Sequence, residues 1–151
     1  MLTETEVSLI FEYPYEEKEE LFTPVATIEI AQFESYGDKQ ETYKAIVDTG
    51  SEVTIISVEI AKKFDFPMTN SSQKIDFAGV SNGISTTPYF VRLRFKHHKF
   101  QENDFHAIKC YCCERKFLSQ DIILGMNFLN KFEITFSGKY KKITIVENLQ
   151  N

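Results

Sequence analysis

The sequence predicts a mainly β, single-domain protein with one or two short helices. Val, Ile, Thr, Phe and Tyr recur in short runs that alternate apolar and polar positions, the spacing that suits a half-buried pleated surface. Glycine, proline, asparagine and aspartate punctuate the runs and turn the chain. With 151 residues, 42% of them hydrophobic and 14% aromatic, the chain holds enough apolar mass for one core, and nothing in it calls for a second.

Residues 1–23 read as an N-terminal lead-in. Its "VSLIF" is apolar enough to form a strand, either at a dimer interface or at an edge within the chain. The acidic "YEEKEE" (15–20) reads as solvated, with a docking tail as the alternative. The domain proper spans 24–147, and 148–151 form a C-terminal tail. "PVATIEIAQF" (24–33) alternates, and after "ESYGDKQ" the strand "TYKAIVD" begins, which predicts a hairpin. "VTIIS" (53–57) is short and β-branched. "VEIAKKFDF" (58–66) places Val58, Ile60, Ala61 and Phe64 at helical spacing before Pro67. "SSQKIDFAGVSNGISTTPYFVRLRFK" predicts a long hairpin centred on "AGVSNG". "KFQENDFHAIKCYC" (99–112) predicts a strand, "DIILG" (121–125) is a continuous apolar run ending in glycine, and "MNFLNKF" is compatible with a short helix. The strands "EITFS" and "KKITIVE" close the chain, joined by "GKY".

A net charge of -5 argues against a nucleic-acid partner, which calls for clustered Lys and Arg. The small basic stretch "RLRFKHHKF" (92–100) alternates with Leu93 and Phe95 and reads as the solvated face of a strand. No apolar run approaches the roughly 20 residues that cross a bilayer, and the N-terminus carries acids where an export signal is basic. No membrane association and a cytoplasmic location are therefore expected. Cys110, Cys112 and Cys113 are an odd number crowded together, so reduced thiols are expected rather than a disulfide framework. With His97, His98 and His106 they offer soft ligands, yet they lack the paired spacing of structural zinc sites, and no metal or cofactor is expected.

The chemistry centres on "AIVDTGSEVTII" (45–56), where Asp48 ends one apolar run and Thr49, Gly50 and Ser51 lead to another. A carboxylate ending a buried strand must be paired, hydrogen-bonded or functional, because desolvating an isolated charge is costly. The plainer alternative is an ordinary strand–turn–strand in which Asp48 caps its own turn.

Asp48-Thr49-Gly50-Ser51 within apolar strands, a glycine-bearing hairpin, and the later "IILGMNFLNKFEITF" together resemble the retropepsin-like (retroviral-type) aspartic proteases, from about Pro24 to about Val146. The resemblance implies a closed β-barrel whose subunits each lend one Asp to a site on a two-fold axis. One group must take a proton from water and another give one to the departing amine. Two facing carboxylates do both by sharing a proton, as the sites of aspartic proteases are known to do. A homodimer supplies the second copy of Asp48, and the chain holds no second Asp-Thr/Ser-Gly.

On the resemblance, Asp48, Thr49 and Gly50 are the catalytic motif: the acid, a hydroxyl that bonds across the dimer axis, and a sharp turn. Ser51 is expected to bond the outer oxygen of the carboxylate. The hairpin "FAGVSNGIS" (77–85) becomes a flap over an extended substrate, with Ala78, Gly79, Val80 and Ile84 lining it and Gly79 and Gly83 as hinges; a plain surface hairpin explains the glycines as well. Ile123, Leu124 and Gly125 form the second signature. Viral members carry an acid–arginine pair that braces the dimer, at positions occupied here by Glu52 and Met126, so that brace is absent or replaced. The expected function is an aspartic endopeptidase acting on extended peptides with apolar side chains near the cleaved bond, as Val53 and Ile55 suggest. A non-catalytic binding or scaffolding module of the same fold is the alternative.

Overall fold

The computed structural model describes residues 6–69, 73–77, 80–97 and 103–150. Strand β1 (Glu6–Pro14) opens the chain, followed by a small hairpin of β2 (Glu16–Lys18) and β3 (Leu21–Thr23). β4 (Val25–Ala31) and β5 (Gln40–Val47) form the expected hairpin, and β6 (Thr54–Ser57) runs directly into helix α1 (Val58–Lys63). β7 (Gln73–Phe77) and β8 (Val80–Thr86) pair with each other, and β9 (Tyr89–Phe95) and β10 (His106–Cys113) follow. A 3-10 turn at Arg115–Phe117 leads to β11 (Ile122–Leu124), α2 (Met126–Leu129), β12 (Glu133–Ser137) and β13 (Lys142–Gln150).

Six strands close a barrel in the order β10-β6-β11-β5-β4-β9, the mainly β, closed-barrel fold the sequence predicts. Alternation sets its wall: in β4, Ala26, Ile28 and Ile30 are buried while Thr27 and Glu29 face outward. The three-residue β11 lies between β5, which it meets in parallel, and β6, which it meets antiparallel. That insertion joins two segments about 75 residues apart in sequence, far beyond the reach of local pairing.

From Glu6 on, the segment expected as a lead-in contributes a strand within the chain, the second of the two alternatives. β1 pairs antiparallel with β13 from Glu6 opposite Gln150 to Pro14 opposite Lys142, so the expected tail is strand as far as Gln150. With β12 these strands form a three-stranded sheet. Leu9, Phe11, Tyr13, Ile143 and Ile145 are buried, and Phe95 meets Phe11 at 5.9 Å and Phe132 at 4.9 Å between ring centroids, packing the sheet onto the barrel.

Three other boundaries differ from expectation. Helix α1 stops at Lys63 because Asp65 takes φ 52, ahead of Pro67. The hairpin turns between Phe77 and Val80, which pair, so Ser81, Asn82 and Gly83 lie within β8 rather than at a tip. Its second arm ends at Thr86, because Pro88 supplies no N–H to a ladder, and "YFVRLRF" is the separate barrel strand β9. The strand expected over 99–112 begins at His106. Asn103 before it is buried and donates to Phe95 O (3.1 Å) and Glu147 Oε2 (3.2 Å).

The basic stretch is largely absorbed by this framework. Arg94 bonds Glu29 through Nε (3.0 Å), donates to Asn103 O (2.9 Å) and stacks on Phe105. His106 Nε2 lies 3.1 Å from Glu147 Oε1, so this imidazole serves the contact between β10 and β13. Cys110, Cys112 and Cys113 are buried thiols, none of them in a disulfide. Burial pushes the thiols up, Cys112 to about 12 and Cys113 to about 11, the latter helped by Glu59 and Glu114. A thiol that resists ionising resists alkylation, since the thiolate is the nucleophile. Iodoacetamide at pH 8 should label the native protein at least about a hundredfold more slowly than the protein in guanidinium; equal rates would contradict this packing.

Candidate active site

The site is built where β5 leaves the barrel. Ala45 and Val47 are buried and fix the strand, and Val47 N donates to Pro24 O (2.9 Å). Asp48, the next residue, is half-exposed, and its N–H donates to Leu124 O (3.0 Å), which pins it to the end of β11. The chain then turns. Gly50 N donates to Asp48 Oδ1 (2.9 Å) and Ser51 N to Asp48 O (3.2 Å). This is the self-capping turn that the plainer sequence alternative describes, and it uses one carboxylate oxygen. Oδ2 has no partner among the described residues. A Cβ on Gly50 would sit 3.2 Å from Oδ1, tight against the acid it orients.

Main-chain bonds lock this loop to the second signature. Met126 N donates to Ser51 O (2.7 Å) and Asn127 N to Glu52 O (3.1 Å). Leu124 is fully buried and Ile123 packs against the small cluster of Ile55, Cys113 and Leu118, with Val53 beside it. Gly125 is required by contact: a Cβ there would fall 2.1 Å from Val53 O and 2.9 Å from Ser51 O.

Two residues that the sequence reading missed complete the lock. Thr54 is fully buried; its Oγ1 accepts from Gly125 N (3.1 Å) and donates to Asn127 Oδ1 (2.7 Å). Asn127 Nδ2 donates in turn to Lys109 O (2.8 Å) of β10. The available signal was a threonine facing inward beside Ile55 and Ile56, since a buried hydroxyl must find partners. Thr54→Val keeps the shape and leaves the buried Gly125 N unpaired, at about 1–3 kcal/mol, whereas Oδ1 of the exposed Asn127 turns to water. A fall of at least about 2 °C in Tm is expected, and an unchanged melting curve would show that the hydroxyl is dispensable.

The remaining expected site residues are placed as follows. Ser51 does not donate to the carboxylate: its Oγ donates to Val53 O (2.7 Å), an acceptor on its own loop. Thr49 is exposed, with no hydrogen-bond partner among the described residues. Glu52 is exposed and contributes its carbonyl, whereas Met126 packs against the core. Val80 and Ile84 lie in β8, Ile84 opposite Ile75; Ala78, Gly79 and His98 lie outside the described residues. Among the described residues no group of three or more His, Cys, Asp or Glu could hold a metal ion, and no helix is long and apolar enough to cross a membrane.

Comparison with known proteins agrees with this geometry. Residues 38–131, which include both signatures, match the family model described as "gag-polyprotein putative aspartyl protease". Among solved structures, the chain is similar to a retropepsin-like aspartic protease from Rickettsia conorii, with TM-score 0.64 and 15% identity over 100% of both chains. It also matches the retroviral protease-like domain of Ddi1 from Leishmania major, with TM-score 0.48 and 15% identity over 84% of this chain and 94% of that one. No curated protein sequence matches.

Proposed function

Because the chain belongs to the retropepsin-like aspartic protease family, we propose that it is an aspartic endopeptidase in which Asp48 from each of two identical subunits activates a water for peptide hydrolysis. The observation that carries this reading is the presentation of Asp48: half-exposed, capped on one oxygen by Gly50 N, and held by its own N–H donating to Leu124 O, on a loop tied to Met126 and Asn127. A carboxylate fixed in this way can meet its two-fold copy with little loss of freedom, and such preorganisation is what general acid–base work requires. The substrate class is an extended peptide with apolar side chains near the cleaved bond, covered by the β7–β8 hairpin.

The test is cleavage of a peptide library between pH 4 and 7, with a pepstatin-type transition-state mimic and a metal chelator in parallel. Cleavage blocked by the mimic and indifferent to the chelator supports the reading; cleavage that needs metal overturns it. The exposed Glu52, with no ion-pair partner among the described residues, is the observation favouring the alternative, a binding module without catalysis. A protein that sediments as a single chain at micromolar concentration and cleaves nothing would establish that alternative.

A further inference from the structure

A cleft of about 350 Å³ lies against the outer wall of the barrel, away from Asp48. Its floor is the outward face of β4 and β5, formed by Thr27, which stands between the buried Ala26 and Ile28, and by the exposed Thr42. Phe11 and Tyr13 of β1 wall it, and Lys96 and His97, just past β9, complete it. Thr42 precedes Asp48 by six residues along β5, a separation of about 20 Å at the rise of a strand.

Charge decides what this cleft takes. Lys96 Nζ donates to the neutral Thr42 Oγ1 (2.8 Å) and meets no carboxylate among the described residues. Glu12, the acid lining the cleft, is already matched by Lys142 at 3.2 Å. The backbone of the cleft is fixed: Lys96 N donates to Thr27 O (3.0 Å), and Tyr13 Oη donates to Lys96 O (2.9 Å). A neighbouring cleft of about 360 Å³, on the other side of Tyr13, offers Lys44, but Glu16 occupies that ammonium at 3.0 Å and Glu17 adds negative charge. Of these two clefts, the first combines aromatic walls with an ammonium that meets no counter-charge among the described residues, the pattern of a small-molecule site.

We propose that the Phe11–Lys96 cleft binds a small carboxylate with an apolar body. The carboxylate accepts from Lys96 Nζ and the Thr42 hydroxyl, and the body lies along Phe11 and Tyr13. The charge-assisted bond offsets the cost of desolvating the carboxylate, and the apolar body gains by leaving water for Phe11 and Tyr13. Binding here is independent of proteolysis and does not involve Asp48.

The test titrates the whole chain with 4-phenylbutyrate and with the neutral 4-phenylbutanamide, following amide shifts by NMR. Saturable binding of the carboxylate is expected, at least about tenfold tighter than the amide. Lys96→Met, which keeps the stem and removes the charge, should weaken carboxylate binding about tenfold and abolish the preference, with an unchanged melting temperature. Lys131→Met, an exposed lysine elsewhere, and Asp48→Asn should bind as the wild type does. No saturable binding up to about 10 mM, a Lys96→Met variant that binds like the wild type, or displacement by a pepstatin-type mimic would each overturn the proposal.

Discussion

Asp48→Asn is expected to lower kcat/KM for peptide cleavage at least about a thousandfold while leaving Tm within about 2 °C, in line with the usual worth of a positioned acid–base group. The contrast between the two readouts follows from the turn. Gly50 N donates to Asp48 Oδ1, and an asparagine carbonyl oxygen accepts the same bond from the same place. The main-chain bonds from Asp48 N to Leu124 O and from Ser51 N to Asp48 O are indifferent to the side chain. Fold and loop therefore survive. On the proposed mechanism, what disappears is the group that takes a proton from water, in both identical subunits at once. If Asp48 served only its own turn, Asn would be neutral in every assay. Asp48→Ala would then be the damaging change, costing about 1 kcal/mol for the lost bond. The pair of variants thus separates a catalytic acid from a structural one. Cleavage is judged with a peptide taken from the library, and folding by thermal melt and size; full activity in Asp48→Asn would end the protease reading.

The β4–β5 hairpin was legible because its signals are local, whereas closure of the barrel was implied only by the family resemblance. "PVATIEIAQF" and "TYKAIVD" alternate cleanly and are separated by a turn-rich loop, and β4 and β5 pair where that pattern puts them. Asp48 was legible for the same reason, as a charge where an apolar strand ends. The terminal sheet was not. Leu9, Phe11 and Tyr13 show the period of a strand, but their partners Glu147, Ile145 and Ile143 lie more than 120 residues away, and pattern alone does not choose a partner. Ser51 departs from the expectation because its hydroxyl has one proton to donate and gives it to Val53 O, a main-chain acceptor two residues on. Thr54 and Asn127 were passed over because each looks ordinary in its own segment; their bond exists only once β11 is inserted between β5 and β6. The rule that emerges is physical: identity of a reacting group can be read from one segment, whereas the bonds that brace it belong to pairs of segments.

Gly125→Ala is expected to be the most damaging single-atom addition in the site, costing about 3 kcal/mol or more and lowering Tm by about 6 °C or more. The backbone of Gly125 is extended, with φ -102 and ψ 179, so an alanine suffers no conformational strain there. The cost is one of space. A Cβ would lie 2.1 Å from Val53 O and 2.4 Å from Val53 C, main-chain atoms that cannot rotate away as a side-chain tip could. Relief requires separating the Asp48 loop from α2, and that movement stretches the Met126 N to Ser51 O bond and the Gly125 N to Thr54 Oγ1 bond. Loss of cleavage should therefore exceed what the drop in stability explains, and should appear as reduced kcat in the fraction that still folds. Gly138→Ala supplies the control: a Cβ there has no atom within 4 Å, and its Tm should stay within about 1 °C of the wild type. Equal melting temperatures for the two variants would mean that the loops are not locked at Gly125, and the preorganisation of Asp48 would need another source.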